Sequence, residues 1–144
     1  MSSSRSGGLP LKGGCLCGEV RFEIDEPLIE AEYCHCKRCQ RRTGTAASVT
    51  ALAPPGAVRI VQGADLVKSW DPGDGWPKLF CSNCGGALFC LNPADPEQYG
   101  VRLGALDEDP GIRPSFHQFV AYAAPWEALP EDGLPRYPER RPEG

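Results

Sequence analysis

The chain has 144 residues, the size of one domain, and no apolar run of the 18 or more residues that span a membrane. Hydrophobic residues make up only 41%, while 17 Gly and 15 Pro favour short elements joined by many turns over long helices. The formal charge of −4 argues against a general nucleic-acid binder.

The first ten residues, MSSSRSGGLP, are Ser/Gly-rich and carry no apolar signal-type stretch. A disordered segment over 1–10 and a cytoplasmic location are therefore expected. EVRFEID (19–25) alternates Val20, Phe22 and Ile24 against charged neighbours, which predicts a strand with one buried face. LIEAEYC (28–34) is a weaker strand candidate. Residues 37–42 tolerate a short helical turn, closed by Gly44. TAASVTAL (45–52), AVRIVQG (57–63) and DLVKSW (65–70) read as strands, and DPGDGWP (71–77) reads as a loop. KLFC and ALFCL flank the turn SNCGG as a hairpin, and YGVRLGAL (99–106) and SFHQFVAY (115–122) complete the strands. The end of the chain, 138–144, is charged, Pro-rich and expected at the surface. The fold class is mostly β, built of short antiparallel strands with little helix.

Eight cysteines in a reducing compartment point to metal ligation before disulfides. They fall as Cys15 and Cys17 in GGCLCGEV, Cys34, Cys36 and Cys39 in YCHCKRC, Cys81 and Cys84 in FCSNCGG, and Cys90 alone. A C-x-x-C turn aims two thiolates at one ion, and the Gly that follows allows the positive φ such a turn needs. A redox pair is the alternative for that motif, but no βαβ pattern accompanies it. The arithmetic pairs Cys15 and Cys17 with Cys81 and Cys84 as a closed structural zinc site. The remaining trio forms a second site with three thiolates. Loading seven thiolates with two Zn²⁺ takes the net charge to roughly −7. One zinc per chain, with the other cysteines buried as small hydrophobes, is the simpler alternative.

The blocks GGCLCGEVRFEI, YCHCKRCQRRTG, LFCSNCGGALF and HQFVAYAAPWEALPEDGLPRY, in that order, resemble the glutathione-dependent formaldehyde-activating enzyme family, which includes centromere protein V. The resemblance covers residues 11–137. It implies the Mss4-like β-tent fold with zinc-binding turns, a structural zinc on Cys15, Cys17, Cys81 and Cys84, and a catalytic zinc on Cys34, Cys36 and Cys39. It also implies a carbon–sulfur lyase that joins glutathione to formaldehyde as S-hydroxymethylglutathione, with glutathione and a small aldehyde as partners.

A zinc held by three thiolates is a weak Lewis acid for hydrolysis, but it suits a fourth, soft thiolate and keeps that thiol ionised at neutral pH. Lys37, Arg38, Arg41 and Arg42 adjoin the trio and could grip the carboxylates of a glutathione-like ligand; a solvated basic turn is the plain alternative. Thr43 could donate a hydrogen bond near the site. His35, wedged between two ligands, is expected to point away from the metal, and His117 to serve a supporting role. Cys90 is expected as a buried thiol, Trp126 as core or pocket wall, and Trp76 as a loop anchor or substrate-site residue. A non-enzymatic zinc module that binds a protein or nucleic acid through the basic residues of 33–64 is the rival function.

Overall fold

The structure is a computed structural model that describes residues 8–142; the expectation for the N-terminal segment lies largely outside them. A three-stranded sheet runs β1 (Leu11–Gly14), β2 (Arg21–Ile24) and β5 (Val58–Gln62), neighbours in the order β1-β2-β5. The second sheet has seven strands. They are β3 (Glu30–Cys34), β4 (Ser48–Leu52), β6 (Val67–Trp70), β7 (Lys78–Cys81), β8 (Ala87–Asn92), β9 (Asp95–Arg102) and β10 (His117–Gln118), in the order β10-β3-β4-β9-β8-β7-β6. All pairings are antiparallel except that of β10 with β3. The sole α-helix among the described residues is α1 (Lys37–Thr43), capped at its end by Gly44 at φ 71°. This is the mostly-β architecture of the Mss4-like β-tent.

The alternation read in 19–25 holds, for Val20, Phe22 and Ile24 are all buried to within 1%. Phe22 crosses from the small sheet to meet Phe89 of the large one edge-on, ring centroids 4.8 Å apart. The large sheet answers with one continuous row across five strands: Ala31, Ala51, Val101, Phe89 and Leu79. All five belong to the shared apolar core. Because successive strand residues face opposite ways, the flanking positions must point to the other side. These are Glu30 and Glu32 of β3, Thr50 of β4, Arg102 of β9 and Lys78 of β7. Far from solvating an outer face, they line a cavity. The pleat thus separates an apolar face from a polar, functional one.

Three expectations differ from the structure. The strand over 115–122 shrinks to two residues because Phe119 takes φ 60°, a left-handed conformation that turns the chain out of the sheet. β1 was not anticipated, as LKGG lacks β-branched or aromatic residues. It forms because Gly13 lets the Phe22 ring and the Ala105 carbonyl approach where a Cβ would sit, at 2.6 and 2.5 Å. Trp126 is neither core nor pocket wall: it is 66% exposed. Residues near the chain end lie against the large sheet, where Arg141 makes a paired hydrogen bond to Glu30 at 2.6 and 2.8 Å and covers the Phe116 ring.

Gly63 ends β5 at φ 74°, and a Cβ there would lie 2.2 Å from the Glu19 carbonyl oxygen. Gly63→Ala combines backbone strain with a clash against main chain. It is expected to lower stability by about 1–3 kcal/mol, read as a drop in the urea midpoint at unchanged slope.

Candidate metal centre

Two clusters of thiols emerge, each with every sulfur within 4.8 Å of the others: Cys15, Cys17, Cys81 and Cys84, and separately Cys34, Cys36 and Cys39. None of the eight cysteines is in a disulfide. The first cluster joins two turns. In one, the Gly18 amide donates to the Cys15 carbonyl and the Val20 amide to the Cys15 sulfur, with Gly18 at φ 83°. In the other, the Asn83 amide donates to the Cys81 sulfur and Gly85, at φ 78°, returns its amide to the Cys81 carbonyl. The Asn83 side chain reaches across to the Cys17 sulfur at 3.2 Å. Such N–H donors are what thiolates require. Cys84 is held down to about 6 by the amides around it, and burial pushes Cys81 up to about 11.

The donor set fits a zinc ion. Tetrahedral Zn–S bonds of about 2.3 Å place sulfurs roughly 3.8 Å apart. The sulfurs of Cys15 and Cys17 lie 3.5 Å apart and those of Cys17 and Cys81 3.9 Å apart. Four soft ligands close that sphere.

The second cluster is built where β3 passes into α1. Cys34 ends the strand, and Cys36 is the helix N-cap, its sulfur accepting the Cys39 amide at 3.3 Å. One helical turn later Cys39 returns to the same point. Three adjacent thiols cannot all ionise without a cation. Hydrogen bonds from Cys34 and Cys39 hold the Cys36 thiol far below the ordinary range, and the same contacts with burial hold Cys34 far above it. A divalent cation resolves this conflict, and among the described residues no fourth His, Cys, Asp or Glu completes the group.

His35 points away from the trio, as expected. Its Nε2 lies 2.8 Å from Nδ1 of His117, whose Nε2 lies 2.8 Å from Asp132. The Asp132 carboxylate accepts the His117 Nε2–H, so His117 Nδ1 accepts from His35. Burial, then the neighbouring His117, pushes His35 down, which keeps it neutral in this chain of bonds. The Gln40 side chain donates to the His35 carbonyl at 2.8 Å and pins the loop from the other side. Asp132 is held below the usual carboxylate range, first by its bond to His117. Its contribution is therefore present above about pH 4 and is lost as pH falls through its lower folded value. Asp132→Asn is expected to flatten the acid limb of a plot of melting temperature against pH; a limb identical to that of the parent would refute the role.

Cys34 and Cys39 open into a cavity of about 1060 Å³. Its floor is the polar face of the large sheet, where Glu32, Thr50 and Arg102 form one row across three strands. Glu32 is pushed up to about 7, first by burial and then by the charge of Glu30. Trp76 and Cys90 also line the cavity; Cys90 is buried as expected.

The helix cations are placed elsewhere. Lys37, Arg38, Arg41, Arg42 and Thr43 do not line this cavity. Lys37 donates to Gln40, and Arg38 pairs with Asp74 of the 71–77 loop at 2.9 Å. Arg42 lies over the Phe80 ring and lines an adjoining cavity of about 650 Å³ that shares Ser48 and Arg102 with the first, as does Thr43, whose hydroxyl donates to the Cys39 carbonyl. Lys78, Arg102, Arg140 and Arg141 supply the cations of the larger cavity instead. The spacing of Glu30, Glu32 and Cys34 already put those three on one strand face. Nothing local marked Arg102, which arrives through strand register alone.

A mostly-β tent carrying two thiol clusters, one of four thiols and one of three facing a polar cavity, defines a metal-binding class. The profile of the glutathione-dependent formaldehyde-activating enzyme family matches residues 10–122, and the chain belongs to that family. A Halomonas elongata protein provisionally named for the same family is 29% identical over 108 residues, covering 69% of this chain and 67% of its own. The crystal structure of a Rhodobacter sphaeroides protein superposes with a TM-score of 0.59 at 27% identity, covering 88% of this chain and 99% of its own. No helix among the described residues is long and apolar enough to cross a membrane.

Proposed function

We propose that the protein is a zinc-dependent carbon–sulfur lyase of thiol–aldehyde adducts, acting on glutathione and formaldehyde or close analogues. Cys15, Cys17, Cys81 and Cys84 hold a structural zinc, and Cys34, Cys36 and Cys39 a second, catalytic one. The observation that carries this reading is a trio of thiols, two of them (Cys34 and Cys39) on a cavity wall, with no fourth His, Cys, Asp or Glu beside them among the described residues. A zinc ion held there supplies a soft, electron-rich centre that keeps an incoming thiol ionised at neutral pH.

The remaining work falls to the chain itself. The Asp132–His117–His35 bonds and Gln40 fix the loop that carries Cys34 and Cys36, so the ligands need little rearrangement. The cavity encloses the reacting groups, and its cations balance the carboxylates of a peptide-like thiol. Of the helix cations, Arg38 is tied to Asp74 of the 71–77 loop. The rival reading as a nucleic-acid module is weakened at two of its basic residues, since Arg38 pairs with Asp74 and Arg59 with Glu23 and Asp25.

Two-dimensional exchange NMR between formaldehyde hydrate and S-hydroxymethylglutathione tests the proposal. A rate above buffer that scales with protein concentration is expected. A rate equal to that of buffer, with two zinc ions bound, would refute it.

A further inference from the structure

Arg102 is the one cation of the cavity that is itself buried, at 9% exposure. Its Nη1 donates to the Thr50 hydroxyl at 2.7 Å, and its Nε has no partner. Among the described residues no carboxylate lies within ion-pair distance of it, although Glu32 stands in the same row. A buried guanidinium with an open Nε–H and no carboxylate in direct contact is costly. Its neighbour Arg141, by contrast, is satisfied twice over by Glu30. The position matters as much as the charge. Thr50, which holds the fork, lies two residues along β4, roughly 7 Å, from Ser48, and Ser48 pairs with Cys34 of the trio.

We propose that Arg102 is the carboxylate-binding residue of this cavity and selects thiols whose carboxylate lies a few bonds from sulfur. The inference rests on the reading of Cys34, Cys36 and Cys39 as a site that accepts a ligand thiol. A planar fork of donors matches a carboxylate in two-point contact, which an ammonium cannot reproduce. Thr50 holds one arm of that fork in place, so little side-chain freedom is lost on binding. Lys78 and Arg140 are left for groups farther from the sulfur.

The test uses the whole chain loaded with zinc for NMR and with cobalt for absorption, and three probes: 3-mercaptopropionate, 2-mercaptoethanol and propionate. The Arg102 Nε–H resonance, assigned by its loss in Arg102→Gln, reports the carboxylate; the sulfur-to-cobalt charge-transfer band reports the thiol. Binding of 3-mercaptopropionate is expected to be about tenfold or more tighter than that of 2-mercaptoethanol, with a shift of the Arg102 resonance. Arg102→Gln should erase the difference, and Arg102→Lys, which keeps the charge without the fork, should retain part of it. Equal affinities in the parent protein, or a preference that survives in Arg102→Gln, would overturn the inference. If neither thiol alters the cobalt band, the thiol-accepting site itself fails, and propionate decides Arg102 alone. A shift of its resonance then upholds the carboxylate assignment, and no shift overturns it.

Discussion

Replacing Cys81 with alanine is expected to leave the chain unfolded at room temperature. Cys81 is fully buried, and its sulfur accepts the Asn83 amide and lies 3.9 Å from that of Cys17. The first cluster ties the turn after β1 to the turn after β7, segments more than sixty residues apart in the chain. Structural zinc in small domains contributes on the order of 10 kcal/mol, comparable to the whole stability of a domain, about 5–15 kcal/mol. Losing one of four thiolates forfeits much of that and opens a hole in the core. Circular dichroism and a denaturant titration check the outcome, with Cys90→Ala as the control. Cys90 is also buried, at 7% exposure, but belongs to neither cluster, so its loss should cost far less. A folded Cys81→Ala protein with the parent midpoint would refute the structural role. Chelation should reproduce the unfolding in the parent chain.

The second large effect is chemical. Cys36→Ala is expected to lower bound zinc from two ions per chain to one and to reduce thiol–aldehyde exchange to the buffer rate. Its cost in stability should be smaller than that of Cys81→Ala, because Cys34, Cys36 and Cys39 lie within one strand-to-helix turn and tie no distant segments together; loss of the helix N-cap bond to the Cys39 amide adds about 1 kcal/mol. That separation of a small stability loss from a complete functional one distinguishes it from Cys81→Ala. Metal analysis on the folded variant and the exchange spectrum together measure both. Two zinc ions retained, or exchange unaffected, would contradict the assignment.

Much of this was legible in the residues, and each exception has a physical cause. The alternation of Val20, Phe22 and Ile24 reports burial directly, because a strand's two faces are written every second residue. The thiol clusters are legible from spacing, since C-x-C and C-x-x-C turns are local geometry. His35 could be turned away from the metal by the same logic, its neighbours both facing the site. Arg102 could not be found this way. Its place beside the trio depends on β9 pairing with β4 at Thr50, a register set by side chains 52 residues away. The helix cations are a case of the opposite kind. Proximity in sequence to Cys36 and Cys39 puts Arg38 and Arg42 near the metal ligands, but each turns to a different partner, Asp74 and Phe80. The shortened β10 turns on Phe119 adopting a left-handed backbone that its residue type does not advertise.

The central claim is that the Cys34, Cys36 and Cys39 site holds a metal and accepts a thiol as its fourth ligand. Cobalt substitution followed by a glutathione titration tests it most directly, through the intensity of the sulfur-to-cobalt charge-transfer band. The expected result is two cobalt ions per chain and a saturable rise equal to one added thiolate, absent in Cys36→Ala. A single cobalt per chain, or a band already complete and indifferent to glutathione, would contradict it.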